Sequence, residues 1–317
     1  MDKKALKLIY MGTADFAVAP LQALVENGYN VLAVVTMPDK PAGRGHKLKA
    51  SGVKVYAESQ NIEVLQPDNL KEDAFVARLR ELDPDLGIVV AFRMLPQIVW
   101  NLPRFGTVNL HGSLLPLYRG AAPINWAIIN GDKETGVTTF RLKHEIDTGG
   151  ILLQEKMPIG EDETFGEVHD RMMVLGAQVM LRTVDLFLDD KEPLAMPQED
   201  CHEHPTQAPK LFKDNCKVDW TQSAGFIHNF IRGLNPVPTA WTELAIEGHE
   251  PKPFKLYRSA VIDPADRHEG LTPGSCVIGP KRSLEVVTGD GVLKILMLQP
   301  QGKKAMAADA YLNGIAR

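Results

Sequence analysis

Two hydrophobic periodicities alternate along the first half of the chain. Short, nearly continuous apolar runs are typical of strands buried on both faces of a parallel sheet, and they predict strands over 6–11, 31–35 and 86–91. Between these runs, apolar residues three or four positions apart predict helices over 16–25, 50–58 and 72–82. This alternation predicts an α/β domain built on a Rossmann-like, doubly wound and mostly parallel sheet.

The pattern changes after a long amphipathic helix predicted over 165–188. Residues 190–209 are polar and rich in proline, which is typical of a linker. Beyond them come one predicted helix over 223–232 and several short β-like runs, with a hairpin signal at 288–291. Short strands at this spacing predict a small β-barrel as a second domain.

Composition narrows the class of protein. The 317 residues are 44% hydrophobic and 24% charged, which is ordinary for a globular protein of two domains. No apolar stretch approaches the ~18 residues of a membrane helix, and the start lacks a signal-peptide pattern. Three cysteines form no Cys-x-x-Cys pair. We therefore expect a cytoplasmic, reduced protein without membrane contact.

The strongest candidate chemistry lies in a predicted strand over 105–111. Asn109 and His111 are two residues apart, so they share one face of that strand, which Gly112 then ends. A single His is more often a hydrogen-bonded core residue than a catalytic one, and Asn near a strand end is usually a turn former. Asp147, flanked by predicted strands over 137–142 and 150–159, adds a carboxylate that folding could bring to the same place.

A basic segment (39–49) follows the second predicted strand. It carries Lys40, Arg44, Lys47 and Lys49 against a single Asp39, while its proline and glycines predict no regular structure. The segment could be a mobile, solvated surface loop, or it could be a flap that becomes ordered on nucleic-acid phosphates. The net charge of −5 does not by itself predict a nucleic-acid-binding protein, so such binding depends on local segments of this kind.

Two other patterns predict no ligand. The turn that begins at Gly12 lacks the other glycines of a dinucleotide fingerprint, so we expect a plain strand-to-helix turn without NAD. The run 201–204 (CHEH) has no second ligand pair at zinc-type spacing, so we expect a solvated segment and no metal.

Several long motifs resemble the formyltransferases that use 10-formyltetrahydrofolate. The segments that carry this resemblance are 109–116 (NLHGSLLP), 119–124 (RGAAPI) and 147–149 (DTG). Three further segments narrow it to the branch whose acceptor is methionyl-initiator tRNA, and they are 37–45 (MPDKPAGRG), 234–238 (LNPVP) and 299–306 (QPQGKKAM). Phe92-Arg93 departs from the Ala-Tyr-Gly that family members more often carry near this point.

The resemblance implies roles for particular residues. It implies that Asn109, His111 and Asp147 are catalytic: the amide would donate to the developing oxyanion, the imidazole would stabilise it and move a proton, and the carboxylate would orient the imidazole. It also implies that Ser113, Leu114, Leu115 and Pro116 contact the folate co-substrate. The basic segment would insert into the acceptor arm of initiator tRNA.

The resemblance further implies an organisation into domains. Residues 1–189 would form the catalytic domain, 190–209 the linker and 210–317 an OB-like tRNA-binding domain, and we expect a monomer. Two alternatives stay open: a formyltransferase for a small amine, such as a purine precursor or an amino sugar, and a non-catalytic nucleic-acid-binding module.

Overall fold

The computed structural model describes residues 2–42 and 47–315. In the first 160 residues the strands are β1 (Lys7–Gly12), β2 (Asn30–Val35), β3 (Lys40–Ala42), β4 (Lys47–Lys49), β5 (Glu63–Leu65), β6 (Leu86–Val90), β7 (Thr107–His111), β8 (Arg119–Gly120), β9 (Glu134–Arg141) and β10 (Ile151–Pro158). The later strands are β11 (Gln207–Ala208), β12 (Ala240–Leu244), β13 (Lys252–Ile262), β14 (Cys276–Ile278), β15 (Leu284–Val287), β16 (Val292–Pro300) and β17 (Met306–Ala307). The α-helices are α1 (Val18–Glu26), α2 (Gly52–Ser59), α3 (Asp73–Leu82), α4 (Gln97–Trp100), α5 (Pro123–Ile129), α6 (Phe165–Asp185), α7 (Ala224–Gly233) and α8 (Ala308–Ile315).

Seven strands form the N-terminal sheet, in the order β10-β9-β7-β6-β1-β2-β5. The pairs β1–β2, β2–β5, β1–β6 and β6–β7 are parallel, whereas β7–β9 is antiparallel. Every residue of β6 is buried, as predicted for an apolar strand covered on both faces. The strand order reverses between β1 and β6, and the carboxyl ends next to such a reversal are where open α/β sheets bind ligands.

The second sheet has six antiparallel strands, in the order β12-β13-β16-β15-β14 with β17 beside β16. Irregular pairing near Arg258 interrupts the register between β13 and β16, and bulges of this kind bend a strand. The result is a curled half-barrel. A Rossmann-like sheet followed by this half-barrel confirms the predicted fold class.

Contacts divide the chain into two compact units. The first comprises Met1–Gly120, Gly136–Met157 and His169–Gln207, and the second comprises Ala121–Thr135, Pro158–Val168 and Ala208–Arg317. Helix α5 belongs to the second unit, where Asn125 donates a side-chain hydrogen bond of 2.7 Å to the carbonyl oxygen of Gly233 at the end of α7. The domain boundaries at 189 and 210 stay a prediction.

One local prediction is wrong. The basic segment was expected to have no regular structure, but β3 and β4 pair antiparallel, with Lys40 opposite Lys49 and Pro41 opposite Leu48. Proline is compatible with this pairing because a two-stranded ribbon consists only of edge strands. Arg44, in the middle of the segment, lies outside the described residues.

Within residues 2–42 and 47–315, no helix is long and apolar enough to cross a membrane.

Candidate active site

Strand β7 brings the predicted amide and imidazole to the carboxyl edge of the N-terminal sheet. Asn109 lies opposite Val89 of β6 and Phe140 of β9, and its side chain is only half-buried. Among the described residues, no hydrogen-bond partner satisfies the Asn109 amide. His111 is the last residue of the strand, on the same face as Asn109. An amide and an imidazole therefore stand together where the strand ends.

The imidazole of His111 is held by a backbone carbonyl. The ring is 6% exposed, and its Nε2 lies 2.8 Å from the carbonyl oxygen of Tyr118. Because that oxygen can only accept, Nε2 carries the proton and donates. The other ring nitrogen, Nδ1, lies 3.9 Å from Oδ2 of Asp147. In the neutral ring, Nδ1 therefore presents a lone pair on the side of the carboxylate.

Asp147 lies in a tight turn between β9 and β10. Its φ of 53° is in the left-handed region, which is uncommon for a residue with a side chain, and its Oδ2 accepts a 2.8 Å hydrogen bond from the backbone N–H of Gly120. Two residues later, a Cβ on Gly149 would lie 1.6 Å from the carbonyl oxygen of Arg141. Only glycine fits there, so the packing of this turn accounts for the glycine of the Asp-Thr-Gly motif.

The four residues predicted to contact folate belong to the connection between β7 and β8. Ser113 is fully buried, and its hydroxyl donates to the carbonyl oxygen of Leu117 at 2.6 Å. Leu115 and Pro116 are also buried, which leaves Leu114 as the half-exposed member of the four. The Ser113 hydroxyl thus closes the loop on itself, and the folate contacts stay a prediction.

Two residues that the sequence does not single out complete the site. Gln198, in the segment predicted to be a linker, is 2% exposed and donates through Nε2 to the carbonyl oxygens of Asp147 at 2.8 Å and Gly149 at 2.9 Å. Arg119 in turn donates to Oε1 of Gln198 from Nε at 3.0 Å and from Nη2 at 2.6 Å. In the sequence, Arg119 is marked only by its place in the RGAAPI motif, and Gln198 only by the proline that precedes it.

The base of the basic segment is tied to its surroundings. Asp39 accepts from Lys54 at 2.7 Å and from Gln66 at 2.8 Å, and the bond from Lys54 lowers the pKa of the Asp39 carboxyl. The one acidic residue of the segment is therefore neutralised by an ion pair. Lys49, at the end of β4, is exposed.

The departure at Phe92-Arg93 has a local explanation. The guanidinium of Arg93 donates to the carbonyl oxygens of Pro67 and Asp68, so it joins the loop after β6 to the loop after β5. This contact stabilises the two loops at the carboxyl edge of the sheet.

No group of three or more His, Cys, Asp or Glu side chains in the described part of the chain could hold a metal ion.

A half-buried amide, an imidazole and a carboxylate at the carboxyl edge of a Rossmann-like sheet are functional groups typical of a group-transfer enzyme. Residues 4–184 match the family model described as Formyl transferase, and residues 210–316 match Formyl transferase, C-terminal domain. A methionyl-tRNA formyltransferase of Porphyromonas gingivalis is 58% identical over 318 residues, with 100% of this chain and 98% of the relative covered. One of Bacteroides thetaiotaomicron is 50% identical over 315 residues, with 99% and 97% covered. The chain belongs to the methionyl-tRNA formyltransferase family.

Solved structures agree on the fold. The sugar 3N-formyl transferase WlaRD, crystallised in the presence of dTDP and 5-N-formyl-THF, superimposes with a TM-score of 0.63 at 19% identity, with 94% of this chain and 99% of that chain covered. At that identity the likeness concerns the fold alone.

Proposed function

We propose that this protein transfers the formyl group of 10-formyltetrahydrofolate to the α-amino group of methionyl-initiator tRNA, for translation initiation. One observation carries the proposal: Nδ1 of His111 and Oδ2 of Asp147 lie 3.9 Å apart at the strand end that also bears the half-buried amide of Asn109. Membership of the family supports the identity of both substrates.

The reaction requires one proton to move. The neutral α-amino nitrogen attacks the formyl carbon, the bond from that carbon to N10 breaks, one proton leaves the amine and one arrives at N10. Because the Tyr118 carbonyl keeps the proton on Nε2 of His111, the nitrogen that can accept and return a proton is Nδ1. No covalent bond to the enzyme is needed.

Asp147 stabilises the imidazolium that forms when Nδ1 takes up a proton. At 3.9 Å the carboxylate is too far for a direct hydrogen bond, but it provides an opposite charge in a mostly buried site. The Tyr118 carbonyl orients the ring, so the proposed role of Asp147 is mainly electrostatic.

Asn109 is the proposed oxyanion donor. Its amide lies two residues before His111 on the same strand face, and a donor aimed at the developing negative charge lowers the barrier of acyl transfer. Ser113, Leu114, Leu115 and Pro116 are the proposed folate contacts, and Leu114 offers the part-exposed side chain among them.

The basic segment is the proposed contact for tRNA phosphates, through Lys40, Arg44, Lys47 and Lys49. The ion pair between Lys54 and Asp39 supports this, because it neutralises the acidic residue that would otherwise repel a phosphate. Residues 210–317 are proposed to add a tRNA-binding domain to the catalytic domain of 1–189. We expect the enzyme to act as a cytoplasmic monomer.

A substrate-choice assay tests the proposal. Purified protein with 10-formyltetrahydrofolate should formylate methionyl-initiator tRNA, and should leave free methionine and small amines, such as an amino sugar, unmodified. Formylation of a small amine in preference to the tRNA would contradict the proposed acceptor. Absence of formyl transfer to every acceptor would contradict the enzyme activity itself.

The proposed tRNA contact makes a separate prediction. Replacing Arg44 by Ala should weaken tRNA binding and reduce the slope of log K against log salt by about 1, because one phosphate contact is lost, while the KM for folate stays unchanged. Arg80→Ala, which removes the same charge from an exposed position on α3, is the matched control. A raised KM for folate with unchanged tRNA binding would contradict the proposed contact between Arg44 and tRNA.

A further inference from the structure

Three consecutive residues connect the parts of the candidate active site. The carbonyl oxygen of Tyr118 accepts from His111 at 2.8 Å, and the backbone N–H of Gly120 donates to Asp147 at 2.8 Å. Between them, the side chain of Arg119 donates twice to Gln198. The segment 118–120 therefore touches the imidazole, the carboxylate and a buried amide.

Gln198 closes this network from the other side. Its Nε2 donates to the carbonyl oxygens of Asp147 and Gly149, while its Oε1 accepts from Arg119, so both ends of the amide are occupied. The residue is 2% exposed. A side chain with a donor at one end and an acceptor at the other is required, and glutamine supplies both.

The turn that Gln198 holds is conformationally unusual. Asp147 has a φ of 53°, and a non-glycine residue keeps such a conformation only where its surroundings enforce it. The two hydrogen bonds from Gln198 are made to the carbonyls of this residue and of Gly149, on both sides of Thr148. They hold the backbone from which the carboxylate projects.

The segment that carries Gln198 is also tied to the residues beside His111. Thr206 accepts from the backbone N–H of Tyr118 through its hydroxyl at 2.8 Å, and from that of Arg119 through its carbonyl at 2.9 Å. The stretch 198–206, which the sequence predicts to be a linker, is therefore bonded to the active-site loop at both ends.

We propose that Gln198 is a positioning residue for formyl transfer, acting through Asp147. This positioning role rests on the proposed function, because it requires the Asp147 carboxylate to stabilise the transition state. Gln198 keeps Oδ2 of Asp147 at its distance from His111, and Arg119 fixes the orientation of the Gln198 amide. A displacement of the carboxylate of about 1 Å is enough to lower a rate substantially.

The test is the substitution Gln198→Glu. The new side chain keeps its size and its acceptor for Arg119, but an oxygen replaces Nε2 and faces two carbonyl oxygens. We expect kcat for formylation to fall by about 10-fold to 100-fold, with the KM values for tRNA and folate within about 3-fold of the parent. Gln207→Glu adds the same charge at an exposed position of the same segment and should leave kcat unchanged.

A double-substitution cycle separates positioning from a general structural role. In the Asp147→Ala background, Gln198→Glu should cost less than about 3-fold in kcat, because the group that it positions is already absent. Loss by the same factor in both backgrounds would overturn the proposal. A kcat within about 2-fold of the parent in folded Gln198→Glu protein would also overturn the proposal.

One further variant and the Asp147→Ala protein itself keep the outcome decisive. If Gln198→Glu does not fold, Gln198→Met removes the donor without adding charge, and the same loss of kcat and the same cycle apply. If Asp147→Ala leaves kcat unchanged, the role proposed for Asp147 fails and the positioning role fails with it. If Asp147→Ala is impaired but neither Gln198 variant is, the proposed function stands and the positioning role alone is wrong.

Discussion

Each of the two compact units holds an imidazole beside a carboxylate with both side chains mostly buried, and these two pairs differ in how fully they are bonded. In the first unit, Nδ1 of His111 lies 3.9 Å from Oδ2 of Asp147. In the second, Nε2 of His268 lies 2.8 Å from Oε2 of Glu285, and both residues are buried. We call the first, which has no direct hydrogen bond between the two groups, the open pair, and the second, which is hydrogen-bonded, the closed pair.

The closed pair has no bonding capacity to spare. Glu285 accepts from Ser283 at 2.7 Å, from Arg267 at 2.6 Å and 3.0 Å, and from His268. Nδ1 of His268 accepts from the backbone N–H of Ala265 at 2.9 Å. Neither ring nitrogen of His268 can accept a proton without breaking a bond that the fold already uses.

The comparison shows that an imidazole beside a carboxylate is not by itself a catalytic signature. Burial acts to raise the pKa of Glu285, but hydrogen bonds from Ser283, Arg267 and His268 outweigh it and lower that pKa. The closed pair therefore stabilises the fold. The open pair leaves Nδ1 of His111 without a hydrogen-bond partner among the described residues, which is what proton transfer requires.

Removal of the open imidazole should have the largest effect. His111→Ala is expected to lower kcat by about 10²–10⁴, the range for a positioned acid–base group. Steady-state formylation of methionyl-initiator tRNA measures the rate, and circular dichroism checks the fold. Unchanged turnover in folded protein would remove His111 from the mechanism.

Breaking the closed pair should lower the stability of the protein and leave its activity nearly unchanged. Glu285→Gln is expected to destabilise the protein by about 3 kcal/mol, because a buried carboxylate with several charged and neutral donors is lost. Urea denaturation measures this, and kcat of the remaining folded protein should stay within about 2-fold of the parent. A loss of kcat without a loss of stability would mean that the closed pair takes part in catalysis.

Acid should weaken the closed pair, with a smaller effect. Because the pKa of Glu285 is lowered on folding, its contribution to stability is present above the pKa of the unfolded chain and is lost as the pH falls through the folded value. Urea midpoints measured from neutral pH down to acid should therefore fall less in Glu285→Gln than in the parent. Parallel pH profiles for the two proteins would show that the carboxylate is not the group responsible.

Much of the fold follows from local patterns. The alternation of apolar runs and amphipathic helices predicts β1, β2, β6, α2, α3 and α6 to within a few residues, because burial on one or two faces imposes a period on the sequence. The strand β13 and the helix α5 were missed. Both are stabilised by packing within the second unit, and α5 lies far along the chain from its partner α7.

Part of the candidate site also follows from local spacing, and part depends on contacts between distant segments. Asn109 and His111 are related by a spacing of two along one strand, so the sequence alone places them on a common face. Asp147 is 36 positions further on, and its approach to His111 depends on the turn that Gly149 allows. The catalytic roles of all three residues stay proposals.

The chain by itself determined what short-range periodicity and motif chemistry can encode: the α/β class, the shared face of Asn109 and His111, and the resemblance to formyltransferases. Tertiary structure alone decided which ring nitrogen of His111 is free, and that Gln198 lies against the Asp147 turn. The physical reason is that a hydrogen bond acts over about 3 Å, whatever the separation of its partners along the sequence. Contacts between distant segments leave no periodic signal.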